Sequence, residues 1–478
     1  MEVLLKIFTS KFWSTLALIL ISQNPIGTFA QDQIKQYDEG SVYEGAFKNG
    51  LRNGLGKYTM PDGFTYEGEW KDDQIQGKGV ARYPTGQLFE GSFKQGVPDG
   101  EGTMTFADGT KYSGSWLDGK MEGDGTLSMT DGSVFKGKFS NNKRDGYGEM
   151  AYSDGSAFKG NWKDNEKQGN GTLIYADKST YEGNWEKGLQ EGFGKLITKD
   201  GVVLEGEWKN GKIDGIGKLV QSNGDRYEGY LVDWKRNGKG VSIYTTGEKY
   251  DGSFKDDMRH GQGILTGKDG FRYEGNWSLG KMDGFGKITY SSGSIYEGNF
   301  KNNQPNGKGK INFSDGGSYD GAWINGVIEG SGIAKYANGL VYEGEFSRGK
   351  NNGFGTMTYS DGYVYKGNWK NGIQEGKGEE KFPDGTTYKG EFKNNQRHGK
   401  GTMKMEDGFS YTGNWVSGEM SGKGIVVYAN GDQYDGNFLN GKREGKGIMT
   451  FQDGEVIDSI WKAGKEVEKE KTKATPSN

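Results

Sequence analysis

From Tyr296 to Phe300 the chain reads aromatic, polar, glycine, polar, aromatic. A period of two with one apolar face predicts a strand that buries its rings on one side. A second alternating run, Gly309, Ile311 and Phe313, follows the polar stretch KNNQPNG. Asn and Pro in that stretch predict a longer connecting loop. After Phe313 the tetrapeptide SDGG, residues 314–317, predicts a return turn of type I′, because glycine accepts positive φ after aspartate. The predicted element is a short β-hairpin. One hairpin alone is marginal in water, so its ringed face must be covered by further hairpins.

The same pattern recurs every 23 residues, at Tyr273 and Tyr250 on one side and at Tyr319, Tyr342 and Tyr365 on the other. Followed to its limits, it gives eighteen units opening from Tyr43 to Tyr434, without insertion or deletion. A damaged nineteenth start at Ile457 retains Trp461. With the opening residue of each unit taken as zero, glycine stands at +2, +11 and +13 throughout, as in Gly298, Gly307 and Gly309. It stands at +20, as in Gly316, in every unit but one, where Lys178 replaces it. All but four of the 87 glycines fall on these positions or on +7. Such phasing excludes a flexible glycine-rich linker. The ring at +4 alternates between Phe and Trp over much of the chain. Tyr296, Phe300, Tyr319, Trp323, Tyr342, Phe346, Tyr365 and Trp369 therefore predict a ladder of large and small rings, with glycine leaving room beside each.

The pattern Y-x-G-x-W, then G-x-x-x-G-x-G, then D-G, resembles the MORN repeat (membrane occupation and recognition nexus), and the resemblance covers residues 43–461. It implies an all-β fold: an elongated, twisted, single-layer antiparallel sheet of stacked hairpins. About 36 strands at roughly 4.8 Å each would extend on the order of 170 Å. The resemblance also implies a homodimer, since such arrays pair end to end or side by side. MORN arrays in phosphatidylinositol phosphate kinases have been linked to lipids. Those kinases carry a separate catalytic domain, and no segment outside the repeats is expected to house one here.

Composition changes this picture at the two ends. Lys6 and Lys11 precede an apolar stretch from Phe12 to Ile21, with Pro25 and then Thr28 and Ala30 ahead of Gln31. Residues 1–30 are expected to be a signal peptide cleaved between Ala30 and Gln31, the run being short for a membrane span. The expectation is export to the periplasm, cell surface or medium; the alternative is an uncleaved N-terminal membrane anchor. Residues 31–42 form a short lead, 43–461 the array, and 462–478 a charged tail expected to be disordered. The chain contains no cysteine, so stacking rather than disulfides must hold it. Net charge is −4, and −5 once Glu2, Lys6 and Lys11 leave with residues 1–30. Both signs are interspersed, which predicts no nucleic-acid binding.

Candidate chemistry is sparse. His260 and His398 are both at +10, six units apart, too far to share a metal. Asp108, Asp131, Asp154, Asp177 and Asp200 recur at +19. One carboxylate per hairpin does not assemble a calcium loop, and turn formation accounts for them. The recurring GKG lacks the helix that a phosphate loop needs. No catalytic residue, metal or cofactor is predicted. Between Thr198 and Gly267 the pattern slips: Leu204 replaces an opening ring, Leu231 a second ring, and Trp234 occupies a turn position. A bend or partner-docking site is predicted there. The expected function is a non-catalytic exported scaffold for an unknown protein partner. The alternatives are a phospholipid-headgroup surface, which the negative charge disfavours, and a glycan-binding surface.

Overall fold

The computed structural model describes residues 33–470. The described residues are all-β, without a helix. They fall into two compact units. The first runs to Lys178 and adds Trp185–Gly188; the second comprises Ser179–Asn184 and the residues from Leu189 onward. In each, antiparallel strands pair with their neighbours in sequence, in an open single-layer sheet.

One repeat of the second unit shows how the sequence builds this. Ile295–Lys301 and Gln304–Asn312 are its two strands. Tyr296 lies opposite Ile311 and Gly298 opposite Gly309. The second strand pairs onward with the next repeat, Ile311 opposite Tyr319 and Gly307 opposite Trp323. The alternation sends Tyr296 and Phe300 to one face, where they are 0% and 3% exposed. Between Gly298 and Phe300 the register shifts by a bulge on the facing strand. Gly307 occupies that bulge at φ 95°, a left-handed conformation that explains the glycine at +11.

Both turns differ from expectation. The stretch predicted as a longer loop is a two-residue type I′ turn: Asn302 and Asn303 both have positive φ, 50° and 70°. This explains why +7 alternates between Gly, Asn and Asp, the residues that tolerate left-handed backbone. The SDGG turn is not type I′, since Gly316 alone is left-handed, at φ 93°. The Phe313 amide donates to Gly317 O at 2.8 Å and the Gly316 amide to Phe313 O at 3.1 Å. The Asp315 carboxylate accepts the Gly317 amide at 2.9 Å, so the recurrent aspartate closes its own loop. Asp108, Asp131 and Asp154 do the same for Thr110, Ser133 and Ser156.

Strands also continue past the repeats. Gln33–Gln36 pairs with Val42–Lys48, and Lys465–Glu470 pairs with Val456–Lys462. The tail expected to be disordered from residue 462 is thus a strand as far as Glu470. The segment 1–30 and the Ala30–Gln31 boundary lie outside the described residues.

Where the repeat is regular, the rings form an edge-to-face ladder. Tyr296 meets Phe300 of its own repeat at 5.0 Å between centroids and Trp323 of the next at 5.3 Å, both near perpendicular. Tyr319 repeats this with Trp323 and Phe346, and Tyr342 with Phe346 and Trp369. Each such pair contributes about 0.5–1.5 kcal/mol beyond its buried area. In this stretch the polar ends are satisfied: Tyr296 Oη donates to Asn299 O at 2.9 Å, and Trp323 Nε1 to Gly309 O at 3.1 Å. A side chain on Gly309 would collide with the Tyr296 ring, and one on Gly298 with the Gly309 backbone.

Candidate functional site

The ring ladder occupies one face of the sheet, and most of the exposed side chains that differ between repeats project from the other. There the side chains at +1, +3, +12 and +14 project from paired strands over a floor of glycine backbone. Most are polar, such as Glu297, Asn299, Lys308 and Lys310. They form exposed ion pairs such as Lys159–Glu149 at 2.8 Å, which contribute little stability.

At one place in the second unit this face carries an apolar pair. Ile216, at +12 on Lys212–Val220, lies directly opposite Tyr230, at +3 on Arg226–Val232. They are 68% and 42% exposed. With Val241 and the backbone of Gly229, Gly238 and Gly240 they line a groove of roughly 570 Å³. Glu228 and Asp251 stand beside it, each opposite Val241 across a strand pair, with Lys239 as the only cation of the lining. The Tyr230 hydroxyl donates to Asp214 Oδ1 at 3.1 Å, and this hydrogen bond raises its pKa above the usual phenol value. The groove thus presents two apolar walls and two carboxylates. A larger groove of roughly 870 Å³ lies on the same face of the first unit, but Glu44, Glu67, Glu90, Glu101, Lys57 and Lys78 give it a mixed polar lining.

The residues singled out from the sequence lie close in the chain but do not line this groove. Leu204 and Leu231 are fully buried on the ring face, and Ile213 is buried with them. Leu231 Cδ1 approaches Gly217 and Ile213 Cδ1 approaches Gly206, so aliphatic groups fill space that a tyrosine ring takes elsewhere. Trp234 is 43% exposed, with its ring 6.3 Å from that of Trp208. It sits in the type I′ turn at φ 72°, where other units place Gly, Asn or Asp. The turn keeps its place in the hairpin, but its hydrogen bond to the preceding repeat moves by one residue. Asp233 donates its amide to Ile213 O, whereas at the Asn302–Asn303 turn the second residue, Asn303, donates to Met282 O. An extra pair, Asp214 with Val232, extends the ladder accordingly. Ile216 and Tyr230 depart from the repeat on the solvent face, whereas the lost rings at Leu204 and Leu231 lie on the buried one. Their signal was an apolar residue at +12 facing a tyrosine at +3, in columns that are mostly polar. His260 and His398 lie on the strands Met258–Thr266 and Gln396–Lys404. No group of three or more His, Asp or Glu suited to a metal occurs among the described residues.

No curated protein matches the chain. Among solved structures it is similar to the TCP domain of SAS-4 (dCPAP) from Drosophila melanogaster, solved in complex with a proline-rich motif of Ana2 (dSTIL), at 14% identity over 36% of this chain and 86% of that one, with a TM-score of 0.22. The TCP10 domain of Danio rerio CPAP matches at 12% identity over 56% and 99%, with a TM-score of 0.15. A streptogramin B lyase matches at 16% identity over 61% and 90%, with a TM-score of 0.11. These scores are too low to establish a shared global fold. The family profile described as MORN repeat, by contrast, matches eighteen times in tandem, from residues 43–65 to 434–456. The unit with Leu204 at its head is matched from residue 205. With its phased glycines, ring ladder and hairpin register accounted for repeat by repeat, the chain belongs to the MORN-repeat family.

Proposed function

We propose that this MORN array is a non-catalytic scaffold that binds a protein partner through the groove at Ile216 and Tyr230. The observation that carries the reading is this pair of exposed apolar side chains facing each other above a glycine floor, with Glu228 and Asp251 alongside. An extended peptide with an apolar residue followed by Lys or Arg would suit it: the apolar group covers Ile216 and Tyr230, and the cation meets the carboxylates. The repeated hairpins hold the groove rigid, so little ordering entropy is lost on the scaffold side. Export behind residues 1–30 is part of the proposal and rests on the Ala30–Gln31 boundary.

The test is a binding screen of residues 31–478 against a peptide array of apolar–basic and apolar–acidic sequences, with liposome flotation in parallel. Selective binding of apolar–basic peptides, lost in Ile216→Lys and weakened at least tenfold in Tyr230→Ser, supports the groove. Binding untouched by both substitutions, or flotation without peptide binding, overturns it.

A further inference from the structure

Position +9 points to the ring face, opposite the +4 ring of its own repeat: Arg144 lies across from Phe139, and Lys167 from Trp162. Two other arginines at +9 receive a carboxylate from the turn of the following repeat. Arg52 Nε donates to Asp73 Oδ1 and Arg236 Nε to Asp257 Oδ1, each at 3.2 Å. Arg144 has the same geometry with a neutral partner. Its Nε lies 3.4 Å from Asn165 Oδ1 and its Nη2 donates to Asn165 O at 3.0 Å. One repeat on, Lys167 takes +9 and Gly188 stands where the acid would be. The Lys167 ammonium has no carboxylate or hydrogen-bond acceptor among the described residues.

The two cations are neighbours, half-buried and seated on rings. Arg144 Cζ is 4.5 Å from the Trp162 centroid. Lys167 Nζ is 4.7 Å from Trp185, 5.1 Å from Phe158 and 5.5 Å from Tyr152. Nearby acids are engaged elsewhere: Asp145 with Lys163 at 2.9 Å, Asp164 with Lys143 at 2.7 Å, and Asp154 with Ser156. Burial lowers the pKa of both Arg144 and Lys167, and the charge of Arg144 lowers that of Lys167 further. Burial raises that of Tyr152, so its phenol stays a hydrogen-bond donor.

We propose that Arg144 and Lys167, with the Tyr152 hydroxyl, form a binding site for a phosphate or sulfate group. The cations rise from strands two apart, about 10 Å between backbones, so their long side chains can close on one tetrahedral oxyanion. A dianion matches their summed charge, and its several oxygens can accept from all three groups. Binding would supply the counter-charge that Asp73 and Asp257 give to Arg52 and Arg236.

Inorganic phosphate and sulfate, and a sulfated disaccharide as the ester form, are titrated into residues 31–478 by calorimetry at low chloride. Asn165→Asp installs the acid found at Asp73 and should neutralise Arg144 without disturbing the turn. Lys167→Met removes the second cation, Lys167→Arg preserves it, and thermal melts check folding. Saturable binding of an inorganic anion, at least tenfold weaker in Asn165→Asp and Lys167→Met but retained in Lys167→Arg, supports the site. The same dependence for the disaccharide alone supports it with a sugar ester as source. No saturable binding by any probe, or binding indifferent to these variants, overturns it.

Discussion

Arg397 donates from Nε to Glu380 Oε2 at 2.6 Å, on the ring face where flanking repeats place Met357 and Met403. The second carboxylate oxygen accepts the Tyr363 hydroxyl at 2.7 Å. The guanidinium lies 5.0 Å from the Tyr388 centroid and 5.4 Å from that of Trp415. Three successive repeats thus share one buried polar junction.

Replacing Glu380 by Met strands a mostly buried guanidinium and a phenol. The expected cost is roughly 1–3 kcal/mol. The double substitution Glu380→Met, Arg397→Met should recover most of it, because an apolar pair of similar volume often replaces a buried ion pair without loss. Long arrays need not unfold in one step. Hydrogen exchange within Ile373–Lys381 and Gln396–Lys404 is therefore the appropriate readout. Equal protection in the wild type and the single variant would contradict the assignment.

Gly309→Ala should destabilise its repeat by about 1–3 kcal/mol, since the new methyl meets the Tyr296 ring. Tyr296→Leu in the same chain should restore part of the loss, as Leu204 faces its own repeat without a ring. Chemical denaturation of the wild type and the two variants measures this. A Gly309→Ala chain as stable as wild type would show that the ring can move aside.

Alkaline pH should unfold the sheet. Burial pushes the phenols of Tyr112, Tyr250 and Tyr319 up to about 12. In the unfolded chain they lose protons near pH 10. Between about pH 10 and 12 the unfolded state therefore binds fewer protons, and stability falls by about 1.4 kcal/mol per pH unit for each such tyrosine. Below pH 10 this dependence is absent. Phenolate absorbance and loss of β circular dichroism should rise together in that window; titration near pH 10 with the sheet intact would refute the burial.

Trp234→Asn replaces a bulky residue at φ 72° with one that tolerates the conformation. Relief of about 1–2 kcal/mol of left-handed strain is set against about 0.5–1.5 kcal/mol for the ring contact with Trp208. The melting temperature should hold or rise slightly. A fall of several degrees would mean that Trp234 closes the aliphatic patch of Leu204, Ile213 and Leu231 rather than merely bordering it.

The hairpin and the ring ladder were legible because period two and a 23-residue phase each have one physical meaning. Tyr296, Gly298 and Phe300 could be assigned to one face without coordinates. The turn types were not legible. Asn302–Asn303 and Asp315–Gly316 both tolerate positive φ, and only the pairing register decides which couple is central to a two-residue turn. The groove was missed for a related reason. Leu204 and Leu231 depart from the repeat on the buried face, where aliphatic packing absorbs the change. Ile216 and Tyr230 depart on the solvent face, where packing does not.

Because each strand within a unit bonds to its neighbours in sequence, each unit resists force in a particular way. Tension applied between distant points would draw out the end strand first and open its hydrogen bonds in succession. A type I′ turn of two residues gives almost no slack before the next strand is loaded. A pulled molecule should therefore yield in small steps of one hairpin, each releasing a similar length, and reseal by the same steps when the load is removed.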